Sequence, residues 1–281
     1  MLLRPCGSSD PIAQHRLGYP AEITLGYSFG SVLPLLWGRG GPTRLSIVNS
    51  NGPRIPLPLD NLREAILDSC QFRPGSLLNL LRHCRHLCKF VFRGAGHTRA
   101  LPSHEFMEAL EPAHTSLEVL GIDLQSFDSD NGARISSLKH FTALKTLYID
   151  LNCVWDWDAA TNTDSPPGPD QLFTTLLPDS IEEVALFSGD TNDEFLGFRV
   201  EAHIMGLQLE RQEKGTFPHL KRLRGKGLSP LNLGLFGDHE TECRMATLIE
   251  ATRQLGDDGV EVVFEEQGRS DLNFGDIIPH Y

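Results

Sequence analysis

Short apolar runs recur along most of the chain in a single register. FTALKTLYIDLN, residues 141–152, places apolar residues at Leu144, Leu147 and Ile149 and closes on Asn152. A half-buried strand in a free-standing sheet alternates strictly, so the opening gap of three has another cause. The same spacing returns in segments that start at Leu62, Leu87, Leu117, Leu144, Ile181 and Leu220, at intervals of 25, 30, 27, 37 and 39 residues. The shorter intervals lie at or just above the roughly 20–29 residues of a leucine-rich repeat, and the longer ones carry insertions. Weaker units stand before and after these six, at residues 42–50 and 257–266.

Helical periods fall between the strands. Ser76 is placed to cap a helix with Leu77, Leu80, Leu81 and Cys84 on one face, and Ser103 opens another with Phe106, Ala109, Leu110 and Ala113 at the same spacing. Thr191 and Glu194 form a capping box before a longer helix. Met245, Leu248, Ile249, Thr252 and Leu255 make a last stripe, stopped by Gly256.

A strand-plus-helix unit of this size cannot bury its own apolar face, but stacked units share one core. The expected fold is α/β: an irregular leucine-rich-repeat solenoid, or horseshoe, of about six to eight units with a parallel concave sheet and convex helices. The first, fourth and sixth positions of each unit point inward, and the ninth turns its polar atom toward backbone groups that would otherwise lack partners. Cys70, Gln125 and Asn152 fill that ninth position. Residues 1–41 then form an N-terminal segment or cap, 42–266 the solenoid and 267–281 a tail.

LREAILDSC followed by SLLNLLRHCRHL, and ISSLKHFTALKTLYIDLN, resemble the irregular repeats of fungal F-box and leucine-rich-repeat proteins, over roughly residues 62–266. That resemblance implies target selection for an SCF-type ubiquitin ligase. The F-box of such proteins resembles L-P-x-E-I followed by helices that bind a Skp1-type adaptor. YPAEI, residues 19–23, is the one candidate, and the glycines and prolines of LGYSFGSVLPLLWGRGGP after it should break those helices, so adaptor binding by this chain alone is not expected.

The 281 residues are 40% hydrophobic, enough for a large core. A net charge of -12 argues against a nucleic-acid partner, which calls for clustered Lys and Arg. No apolar run reaches the roughly 18 residues of a membrane span, and the N-terminus has no signal-peptide core. Six scattered cysteines, at 6, 70, 84, 88, 153 and 243, suit a reducing cytoplasmic or nuclear setting. A monomer is expected.

Candidate chemistry is sparse. HCRHLC, residues 83–88, suggests zinc on His83, His86 and Cys88, but its spacing fits no standard ligand pair and Cys84 and Cys88 serve packing. DSDNG, residues 128–132, reads as a turn because Phe127 and Ser129 stand where a calcium loop needs carboxylates. No phosphate-binding loop, nucleophile elbow or metalloprotease signature occurs, so neither cofactor nor metal nor catalysis is expected.

If the inward positions are one, four and six, then three, five and seven face out across the sheet. That surface would carry Lys89, Arg93, Asp123, Tyr148, Asp150, Glu183, Phe187, Arg222 and Arg224, with an acidic middle around Tyr148 and Phe187 and a separate basic strip from Arg222 to Lys226. Such a face suits a polypeptide partner, aromatics supplying contact energy and charges orientation. Trp155 and Trp157, in the insertion VWDWDAATNTDSPPGPD, either anchor a partner at the rim or fold back over the core. The expected function is a non-catalytic protein-interaction module. Its alternatives are an unrecognised enzyme or zinc protein and a truncated product without a role of its own.

Overall fold

Residues that alternate apolar and polar over a few places become strands when neighbouring segments can hold their backbone groups, and nine segments among the described residues do so. A computed structural model of the protein describes residues 22–25, 42–48, 59–70, 74–94, 103–123, 135, 137–150, 173–187, 196–226 and 239–265. The strands are β1 (Glu22–Leu25), β2 (Arg44–Val48), β3 (Glu64–Cys70), β4 (Lys89–Gly94), β5 (Val119–Asp123), β6 (Thr146–Asp150), β7 (Glu183–Phe187), β8 (Arg222–Lys226) and β9 (Glu261–Glu265). They form one open sheet, all parallel, in the order in which they occur in the chain. Among the described residues four α-helices lie between them: α1 (Pro74–Arg82), α2 (Ser103–Leu110), α3 (Leu196–Lys214) and α4 (His239–Asp257). None of the helices among the described residues is long and apolar enough to cross a membrane.

The register read from the sequence is the register of the sheet. Glu64, Lys89, Val119, Thr146, Glu183 and Arg222, the third position of each unit, pair in one row. Leu62, Leu87, Leu117, Leu144, Ile181 and Leu220 are all buried in one core with the fourth and sixth positions and the inner faces of the helices. Because helix residues such as Leu81, Phe106, Leu207 and Leu255 share that core with Leu67, Phe92, Ile122, Ile149 and Leu186, the helices cover a single side of the sheet.

A repeated backbone bond joins the units. The carbonyls of Thr43, Arg63, Cys88, Glu118, Lys145 and Glu182 each accept two N–H groups from the next unit; Lys145 O takes those of Glu182 at 2.7 Å and Glu183 at 2.9 Å. Where the unit begins with serine, the hydroxyl adds a third tie. Ser116 Oγ donates to Leu87 O at 3.0 Å and Ser180 Oγ to Leu144 O at 2.8 Å. The turns before β3, β4, β6 and β8 start on a buried residue three places ahead of the first leucine, Leu59, Cys84, Phe141 and Phe217, whose carbonyls accept the N–H of Leu62, Leu87, Leu144 and Leu220.

The ninth position behaves as expected where it is described. Ser69 adopts φ 51° and shifts the register between Leu67 and Cys70, which swings Cys70 inward. Its thiol then donates to Ile47 O at 3.3 Å and Asp68 O at 3.2 Å. Gln125 and Asn152 lie outside the described residues.

Several boundaries differ from the sequence reading. Glu22 and Ile23, the last two residues of YPAEI, lie in β1, which pairs with β2, so the sheet extends N-terminal to residue 42. α1 starts at Pro74, whose ring needs no N–H partner in a first turn, so Ser76 lies inside the helix instead of capping it. Gly256 lies within α4; the helix ends at Asp257, and the chain turns out of it at Gly259, with φ 82°, so that Val260 N–H bonds Leu255 O at 2.9 Å. Ile249 is 61% exposed, and Ala251 takes its place in the buried stripe with Leu248 and Leu255. Thr191 and Glu194 lie outside the described residues.

Candidate interaction face

The side of the sheet away from the helices is the one on which chemistry could be displayed, because none of the described helices covers its side chains. Along the row nearest the strand starts stand Arg44, Glu64, Lys89, Val119, Thr146, Glu183, Arg222 and Glu261. Along the middle row stand Ser46, Ile66, Val91, Gly121, Tyr148, Ala185, Arg224 and Val263.

The middle row is largely apolar, and its centre is closed. Val91, Tyr148 and Ala185 are buried in a cluster of their own, with Ile66 and Val119 packed against it. Val91 and Tyr148 stand two strands apart with Gly121 between them, so they meet above a position that has no side chain. The expectation that Tyr148 and Asp150 are exposed anchors is therefore corrected: Tyr148 is 2% exposed and Asp150 fully buried. A central strand of a parallel sheet has neighbours on both sides, and a side chain can point away from the helices and still be shut off from water.

The charged residues are also arranged differently from the separate acidic middle and basic strip that the strand positions suggested. Glu183 is 16% exposed and holds Arg222 Nη1 at 3.1 Å and Arg224 Nε at 3.2 Å, while Tyr148 OH donates to it at 3.5 Å. Arg222 Nε also reaches Glu261 at 2.8 Å. At the other end, Arg44 pairs with Glu64 at 2.8 Å and Arg93 with Asp68 at 3.7 Å. Opposite charges on adjacent strands lie within reach of each other, so the signs interleave. Burial lowers the Lys89 amine from its ordinary range, with Glu64 pulling it back up and Arg44 adding to the fall.

Asp123 and Phe187 fall on β5 and β7, Asp123 in register with Arg93 and Phe187 with Asp150 and Lys226. Trp155 and Trp157 lie outside the described residues, as does DSDNG. The face thus brings Lys89 and Arg93 together at one end and Glu183, Arg222 and Arg224 at the other, around a closed apolar centre.

The HCRHLC stretch is taken up by backbone. His83 Nδ1 lies 2.7 Å from Asn79 O, Cys84 Sγ donates to Leu80 O at 3.1 Å, and Cys88 Sγ to His86 O at 3.5 Å. Burial, with the Asp60 charge adding to it, pushes the Cys84 thiol up to about 12. Among the described residues no three His, Cys, Asp or Glu side chains are grouped to share a metal ion.

The sequence reading missed the salt bridges that cross strands and the serine ties between units. The serines carried a signal, because SLE and SIE open two units in the same way. No family model, curated protein or solved structure matches the chain.

Proposed function

We propose that the chain is an irregular leucine-rich-repeat solenoid that works as a non-catalytic protein-interaction module, resembling the target-recognition part of an SCF-type ubiquitin ligase. The observation that carries this reading is the strictly sequential parallel sheet, helices on one side, in which each unit repeats the same buried positions and the same backbone bond. Such stacking leaves one extended face for a partner. On that face the half-exposed charges, Lys89 and Arg93 at one end and Arg222 and Arg224 at the other, frame the apolar centre and would set the orientation of a bound polypeptide.

Affinity purification followed by mass spectrometry tests the reading with four forms of the full chain. Wild type and Ile249→Glu, altered on the helix side, should retain the same polypeptide; Lys89→Glu with Arg93→Glu, or Arg222→Glu with Arg224→Glu, should release it. A Skp1-type adaptor and a cullin among the retained proteins would support the ligase role. Loss of the partner through Ile249→Glu, with both sheet variants unaffected, would overturn the reading.

A further inference from the structure

Since the strands follow one another across the sheet in chain order, distance along the sequence becomes distance along the molecule. Residues 1–94, which end with β4, hold 11 Lys and Arg against 5 Asp and Glu, whereas residues 95–281 hold 14 against 32. The sequence through β4 is therefore net basic and the remainder strongly acidic, and among the described residues the part through β4 carries 6 Lys and Arg against 4 Asp and Glu.

The described residues locate where that charge is available. Arg63, Arg82 and Arg85 are exposed, and no carboxylate among the described residues comes within 4.0 Å of any of them. Asp60, in the turn before β3, is beyond that distance too. Several cations further along are engaged, Lys145 with Glu118, Lys221 with Glu182, and Arg253 with Glu250 and Asp257, while Lys139 stands singly rather than in a group of three. The three arginines share one stretch of rim. Arg63 leads into β3, and its carbonyl accepts Cys88 N–H at 2.7 Å. Arg85 sits in the turn before β4, its carbonyl accepting Ser116 Oγ at 3.3 Å, and Arg82 ends α1. A helix C-terminus accounts for a cation at Arg82 but not for those at Arg63 and Arg85.

We propose that this rim, where β3 and β4 begin, binds a short acidic stretch of polypeptide through Arg63, Arg82 and Arg85. It lies apart from the sheet face described above and does not depend on that reading. Guanidinium forks match carboxylates in a bidentate manner, and turns on adjacent strands are only about 4.8 Å apart, a spacing that a few acidic side chains can span. A long polyanion fits less well. A duplex or a bilayer would extend past β4 onto the acidic remainder, where repulsion acts over about 8 Å at physiological salt.

Fluorescence anisotropy of the full chain with fluorescein-labelled hexaglutamate at low ionic strength tests this. Wild type should bind, more weakly as salt is raised, and the triple variant Arg63→Glu, Arg82→Glu, Arg85→Glu should lose about tenfold or more in affinity with an unchanged circular dichroism spectrum. Lys139→Glu, an exposed cation on the same rim further along, should bind as wild type does. If the triple variant does not fold, Arg85→Gln alone should still lose about threefold. Failure of wild type to bind, an equal loss through Lys139→Glu, or no loss through the arginine variants would overturn the proposal. Tighter binding of a single-stranded hexanucleotide than of hexaglutamate would overturn it in favour of a nucleic-acid site.

Discussion

Tyr148 on β6 stands in register with Gly121 on β5 and is buried in a cluster with Val91 and Ala185, on the side of the sheet away from the described helices. Packing here depends on volume. Gly121→Val should force the ring away from Val91 and cost about 1–3 kcal/mol, and Tyr148→Ala about 3–5 kcal/mol, both read from urea melts. Tyr148→Phe keeps the ring and gives up the hydroxyl with its 3.5 Å bond to Glu183, so it should stay within about 1 kcal/mol of wild type. Equal losses in all three variants would show that the hydroxyl, not the ring, holds the site.

The inward leucines should be far less tolerant than the charged rim of the same units. Leu147→Asp places a charge where nothing can solvate it and should abolish the folded state, while Leu144→Ala should cost about 2–5 kcal/mol. Lys145→Ala, between them, removes an exposed pair with Glu118 and should change stability by less than about 1 kcal/mol. Thermal unfolding followed by circular dichroism separates these three outcomes.

Serine at the start of a unit ties it to the one before. Ser180→Ala should cost about 1 kcal/mol through loss of the bond to Leu144 O, and Ser116→Ala a similar amount through Leu87 O. Hydrogen exchange gives the sharper readout, because protection should fall first in the two units that each serine joins.

Cys84 introduces an alkaline limit to stability. Burial raises its thiol in the folded protein from 9.0 to about 12, so between those values the unfolded chain releases a proton that the folded one keeps. Its contribution is full below about pH 9 and declines from there toward about 12. Urea midpoints measured from pH 8 to 11 should fall more steeply for wild type than for Cys84→Ala. Alkylation at pH 8.5 should reach the half-buried Cys88 before Cys84.

The leucine spacing by itself determined the parallel units, their mutual register and the identity of the core. Position in a repeat decides which residues share a row, and Leu62 through Leu220 therefore needed no knowledge of what lay beside them. Helix faces were legible for the same reason at Leu77, Leu81, Phe106 and Leu110. Only the tertiary structure decided which outward positions meet water. Exposure on the sheet face depends on the neighbouring strands: Tyr148 is buried in a cluster with Val91 and Ala185 from other strands, and Glu183 is engaged because Arg222 and Arg224 stand beside it. Those neighbours lie dozens of places away in the chain, beyond what local periodicity can relate, so the sequence marked the face while packing across strands set its character.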